Sequence, residues 1–142
     1  MDRYLAVFNE KTWQQFVELN PKVCAFPDSR NRPFPKIQIG DQFLCYIAGR
    51  MVWAGVLKVC GERFRAETPL FDGGPFPIRF PVEAEALLDL DRAVPMNALE
   101  GLLSFFPIGG SSKQWGPHLR NAPKRLYAPD GLAIAERIAG TQ

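Results

Sequence analysis

The chain has 142 residues, 46% of them hydrophobic, and a formal net charge of +2. That length and apolar content predict one domain, residues 1–142, with a core of its own, and a folded chain, not a disordered one. No apolar run is long enough to span a bilayer and no leader pattern opens the sequence, so a cytoplasmic protein without a membrane partner is expected.

Arg3–Phe8 reads as a strand, and Asn9 as the N-cap of a helix over 10–19, with Glu10 in its first turn and Thr12 at its third position. Trp13, Phe16 and Val17 recur at helical spacing, and Asn20-Pro21 ends the helix. Val23–Phe26 is a short strand, followed over 27–35 by a loop rich in Pro, Arg and Asn. Gly40-Asp41 turns the chain into a strand over 42–48. Gly49-Arg50 then makes a hairpin-like turn into a strand over 51–60, where Gly55 marks a bulge or a close backbone approach. Residues 64–77 are irregular, with turn signals at Thr68-Pro69 and Asp72-Gly73-Gly74-Pro75. A strand over 78–85 and a helical turn or two over 96–102 come next. Pro129-Asp130-Gly131 then precedes a last helix over 132–138, with Leu132, Ala135, Ile138 and Ala139 on one face. Strands this closely spaced favour antiparallel pairing. The predicted class is α+β, a curled antiparallel or mixed sheet approaching a small barrel, with short flanking helices.

Cys24, Cys45 and Cys60 are odd in number, which argues against a disulfide framework, and Cys45 and Cys60 sit in apolar runs as small core residues. With a single histidine and no Cys-x-x-Cys pair there is no structural zinc site to place, and no cofactor is expected. Charge is distributed unevenly. Arg30, Arg32 and Lys36 lie in one acid-free stretch, and residues 101–129 contain Lys113, Arg120, Lys124 and Arg125 with no Asp or Glu. Both stretches carry aromatic residues. Aromatic rings offer faces for bases and cations offer partners for phosphates, so the pattern points to nucleic acid, DNA or RNA. Solvated loops are the plainer account of the same charges.

The order of the motifs resembles the EVE domain of the PUA-like superfamily, which is related to YTH domains. The resemblance runs through a strand ending in Asn9-x-x-x-Trp13, then Val23-Cys24-Ala25-Phe26-Pro27, a basic loop and Ile39-Gly40-Asp41-Gln42. It continues with Trp53-Ala54-Gly55-Val56-Leu57-Lys58-Val59, Thr68-Pro69-Leu70-Phe71 and Pro77-Ile78-Arg79-Phe80-Pro81-Val82. It ends with Ser104-Phe105-Phe106 and Trp115-x-x-His118. The resemblance implies a non-catalytic reader that takes a base, modified or not, into an aromatic pocket. A flipped base regains between side-chain rings the stacking it lost.

On that implication the base pocket would draw on Asn9, Cys24, Phe26, Trp53, Phe71, Phe105, Trp115 and His118. The nucleic-acid backbone would meet Arg30, Arg32, Lys36, Lys113, Arg120, Lys124 and Arg125. Several of these have a second reading. Asn9 is equally a plain helix cap. Trp53 packs in the barrel or lines the pocket, Phe71 is a pocket wall or a core contact under its loop, and of Phe105 and Phe106 one is core. Trp115 stacks on a base or shapes the rim. His118, with Arg120, meets a phosphate or a base edge, or is a structural partner. Cys24 stands where the family usually has a cage Trp, and Ala25 where it commonly has Gly. Either the pocket is wider, or Phe26 supplies the wall, or base binding is lost.

Enzymatic motifs are missing. The sequence has no Gly-x-Ser-x-Gly and no phosphate-binding Gly-x-x-x-x-Gly-Lys loop, and no nucleophile is paired with His118. Glu83, Glu85, Asp89 and Asp91 lack a histidine to complete a metal site, and an exposed sheet edge explains them more simply. A small PUA-like enzyme acting on nucleosides or nucleic acid, and an adaptor for a protein partner, stand as alternatives.

Overall fold

The first strand and the first helix meet at Asn9. In the computed structural model, which describes residues 1–19, 22–28, 33–71 and 76–142, β1 (Arg3–Phe8) ends there and α1 (Glu10–Glu18) begins. The Asn9 side chain accepts from the Thr12 amide at 2.8 Å, and the Thr12 hydroxyl oxygen accepts from the Asn9 amide at 3.0 Å. This reciprocal cap satisfies two backbone donors that the first helical turn leaves free. Trp13 and Phe16 face the core, but Val17 is exposed and does not belong to the buried stripe. The Asn20-Pro21 stop and the Asp72–Pro75 turn signals lie outside the described residues, as do Arg30 and Arg32.

β2 (Val23–Phe26), β3 (Gln42–Ile47) and β4 (Val52–Val59) match their predicted places. β5 (Phe64–Arg65) is a two-residue strand inside the stretch expected to be irregular, and β6 (Ile78–Leu87) runs two residues past its predicted end. β7 (Val94–Pro95) and β8 (Lys124–Arg125) are too short to leave a pattern in the sequence. The main sheet path is β2-β6-β4-β3-β1-β8, with β5 added to β6 and β7 to β4. Among the described residues pairing is antiparallel except at one place: β1 lies parallel to β3, from Arg3 opposite Gln42 to Phe8 opposite Ile47. Spacing arguments do not foresee this pair, because α1 and β2 intervene and give the chain length enough to cross over. β6 pairs β2 through Ile78–Pro81 and β4 through Val82–Leu87, so Glu83 and Glu85 lie exposed on a stretch paired on one side only, in keeping with the exposed edge expected of them.

Asp41 ties the start of β3 to the chain terminus. It is buried, and its carboxylate accepts from the amides of Asp2 and Gln38, both at 2.9 Å. Gly55 combines both readings of its position. The β3–β4 register slips between Cys45 and Tyr46, and a Cβ on Gly55 would stand 2.8 Å from the Trp13 ring and 3.1 Å from the Ala86 carbonyl oxygen. The Trp13 indole therefore rests where a side chain would be.

The C-terminal third holds more helix than predicted. Met96–Leu99 is a 3-10 turn, α2 (Ser112–Trp115) is one helical turn, and a second 3-10 turn, Gly116–Leu119, follows it directly. α3 (Ala128–Thr141) starts four residues before its predicted boundary. Proline is tolerated in a first helical turn, where its missing N–H has no partner to lose. Gly131 is close enough to Arg3 that a Cβ would lie 3.2 Å from that side chain. The buried face of α3 runs through Gly131, Ile134 and Ile138, whereas Leu132 and Ala139 are exposed. Cys60, predicted as core, is also exposed, because β4 ends at Val59.

Candidate nucleic-acid interface

The rings expected to form one pocket are spread over separate parts of the core. Phe26 packs against Phe34, Phe43 and Phe80, with centroids 5.1 to 6.2 Å away. Phe71 lies 6.4 Å from Phe16 and 6.0 Å from Phe76. Trp115 is buried against Phe106 and Tyr46. Trp53 is completely buried, and its indole N–H donates to the Met96 sulfur at 3.3 Å, so it packs within the barrel and lines no open pocket. Phe26, Trp53 and Trp115 thus serve the core, the first two from strands of the curled sheet and Trp115 from the end of α2.

Cys24 is corrected by the same alternation. It is completely buried, and burial pushes its thiol well above the ordinary range. Its neighbour Val23 is half-buried, on the outward side. The position at the solvent side of β2 is therefore Val23, and Cys24 offers no wall to a ligand. Asn9 is exposed but committed to capping α1.

One predicted wall does reach a cavity. Phe71, with Phe16, Val23 and Leu70, encloses an apolar recess of about 190 Å³ whose lining also includes the exposed Leu19 and Lys22. Three separate segments supply it: the end of α1, the start of β2 and the loop before β6. Phe16, Lys22, Val23 and Leu70 were not among the expected site residues. The available signal was the in-out alternation of β2, which sets Val23 opposite Cys24 and Phe26.

A second, larger hollow of about 830 Å³ lies between the chain leading into β3 and the turn after β4, lined by Phe34, Lys36, Ile39, Glu62, Arg63 and Phe80 among others. The Arg63 guanidinium lies 5.4 Å over the Phe34 ring, whose other neighbour, Phe80, is stacked at 6.1 Å and 17°. Lys36 is exposed there, so one predicted backbone contact lies in a groove that also holds a second cation, Arg63.

Near the C-terminus Phe105 and His118 form a pair of their own, with ring centroids 4.8 Å apart and planes 16° from parallel. His118 is exposed and Phe105 half-buried. The Lys124 ammonium donates to the His118 carbonyl at 3.1 Å. Lys113 and Arg120 are exposed, and Arg125 meets Asp2 at 3.4 Å. On another side, α1 and the chain after β6 border a hollow with Glu10, Glu18, Asp89 and Asp91, and Arg50 bridges Glu10 and Asp91 there. That acidic face repels phosphates.

No family model and no curated protein matches the sequence. Solved structures do match. Rpa0253 from Rhodopseudomonas palustris superposes with a TM-score of 0.63 at 14% identity, covering 100% of this chain and 96% of that one. The Mmi1 YTH domain, solved in complex with RNA, gives 0.62 at 7% identity over 98% of this chain and 78% of that one. The YTH domain of Zygosaccharomyces rouxii MRB1, in complex with N6-methyladenosine RNA, gives 0.54 at 12% identity over 97% and 85%. At such identities the likeness concerns architecture. The chain has the α+β fold of PUA-like and YTH domains, a curled, mixed half-barrel sheet with short helices.

Proposed function

We propose that this chain is a non-catalytic nucleic-acid-binding module of the EVE type that takes one unpaired base, plain or modified, into the recess beside Phe71. The observation that carries the reading is the recess itself: apolar walls from Phe16, Val23, Leu70 and Phe71, with the cation Lys22 among its lining residues. Its volume of about 190 Å³ is below the roughly 300 Å³ at which drug-sized sites begin, which suits one planar ring system with its phosphates left outside. Aromatic and aliphatic walls favour such a ring, and Lys22 favours the phosphate attached to it. The shared fold supports the reading, because two chains with that fold were solved with RNA, one of it bearing N6-methyladenosine. Lys22 is the one ionisable side chain among the lining residues described, which favours binding over acid–base chemistry.

The test is anisotropy titration of the full chain with labelled single-stranded oligonucleotides, unmodified and carrying one methylated base. Phe71→Ala is expected to weaken binding by about 1–3 kcal/mol, the value of one stacked base. A methyl group on the base is expected to add about 0.8 kcal/mol where it is buried. Affinity should fall as salt rises, with a log–log slope of about −0.7 per phosphate contacted. Wild-type chain that binds no strand at low salt, or Phe71→Ala protein that binds as tightly as wild type, would sink the assignment.

A further inference from the structure

The Phe71 recess accounts for none of the aromatic and basic residues near the C-terminus. We propose that the stacked Phe105–His118 pair is a second nucleotide subsite, on which the base of another unpaired nucleotide in the same strand stacks while its phosphate meets Lys124 and Arg120. The proposal rests on the nucleic-acid reading above and is independent of the Phe71 recess.

Four observations carry it. First, the imidazole is exposed and lies almost parallel to the Phe105 ring beneath it, so a rigid planar surface faces solvent. Second, both rings are held from behind. Phe105 precedes the buried Phe106, and His118 precedes the buried Leu119. The loop that carries Phe105 is fastened to α3 through Ser104, whose amide donates to the Asp130 carboxylate at 2.7 Å and whose hydroxyl donates to its other oxygen. A platform held this way loses little freedom when a ligand settles on it. Third, positive charge is fixed beside the ring, because Lys124 is bound to the carbonyl of His118 itself and the exposed Arg120 follows two residues on.

Fourth, the carboxylates bordering this stretch are occupied. Asp130 is buried on Ser104, and Glu100 accepts from the Gly109 amide at 2.7 Å. The segment between them, 101–129, has no acid of its own. A flat aromatic face with uncompensated cations recognises a planar ring that carries an anion, which is the chemistry of a nucleotide. A free mononucleotide and a strand share that chemistry. A strand is favoured because one open ring face and two cations give a shallow site, which a tethered second contact strengthens through effective concentration.

The experiment compares wild type, Phe71→Ala, His118→Ala and His118→Phe as full chains, with a labelled twelve-nucleotide single strand and with a mononucleotide. His118→Ala is expected to weaken the twelve-nucleotide strand roughly tenfold or more, in line with the loss of one stacking contact. His118→Phe is expected to stay within about threefold of wild type, because the flat ring is retained. The mononucleotide is expected to bind far more weakly than the strand. If His118→Ala binds like wild type while Phe71→Ala is impaired, the second subsite is wrong and the base-reader reading survives. If His118→Phe is as weak as His118→Ala, stacking is wrong. Wild type that binds no strand overturns both.

Discussion

Whether a residue of β2 points inward or outward decides its role in this protein. Cys24 and Phe26 point into the core, while Val23 and Ala25 are half-buried on the other side. One consequence concerns the missing cage tryptophan. An indole at position 24 has no room, so Cys24→Trp is expected to overpack the core and destabilise the fold by about 1–3 kcal/mol, seen as a loss of several degrees in Tm. An indole at position 23 would instead stand in the lining of the recess. Val23→Trp is therefore expected to fold and to bind a single strand more tightly than wild type, with anisotropy as the readout. Equal binding by Val23→Trp and wild type would show that position 23 is not a wall.

Among the elements, the longer ones left clear marks in the sequence. Alternation and apolar runs located β1, β2, β3, β4 and β6, and the Asn9 cap with its Thr12 partner located α1. The two-residue strands β5, β7 and β8 owe their existence to the longer strands beside them, so no local periodicity marks them. The parallel β1–β3 pair is non-local in the same sense. At α3, Pro129-Asp130-Gly131 is expected ahead of the helix, yet the structure makes it the first helical turn, with Asp130 bound to a partner far away in sequence. That buried carboxylate holds the 101–106 loop in place. Asp130→Ala leaves the Ser104 donors without their acceptor and is expected to cost about 2 kcal/mol in urea denaturation. Asp130→Asn, which keeps one acceptor oxygen, should cost less. Should Asp130→Ala leave the urea midpoint unchanged, the clip contributes nothing to stability.

At the scale of the whole molecule, the core buries thiols and phenols in their neutral form, and that makes stability pH-dependent at the alkaline end. Burial raises the thiols of Cys24 and Cys45, and lifts the Tyr46 phenol to about 12. Tyr4 is raised as well, by burial first and then by Asp41 and Asp2. In each case the folded protein keeps a proton that the unfolded chain gives up, from about pH 8.5 for thiols and about 10 for phenols. The unfolded state thus binds fewer protons in that window. Stability is complete below about pH 8 and declines as pH rises. Urea midpoints should drop steadily between pH 8 and 10.5, and less steeply in Cys45→Ala; a midpoint that stays level would contradict the buried-thiol account. The candidate site belongs to this scale too, which is why so little of it was legible. The recess joins residues 16–23 to residues 70–71, and only the fold brings Phe71 against Phe16 and Val23.

Gly55 is linked to that recess through two rings, Trp13 and Phe16. The Trp13 indole leans on the bare backbone of β4, and Phe16, which lines the recess, lies 5.5 Å from that indole. Any side chain at position 55 would press on Trp13 from the far side and tilt α1, and the tilt would carry Phe16 with it. The contour of the recess thus depends partly on a residue outside its lining, since a Cβ at position 55 has no room unless Trp13 moves.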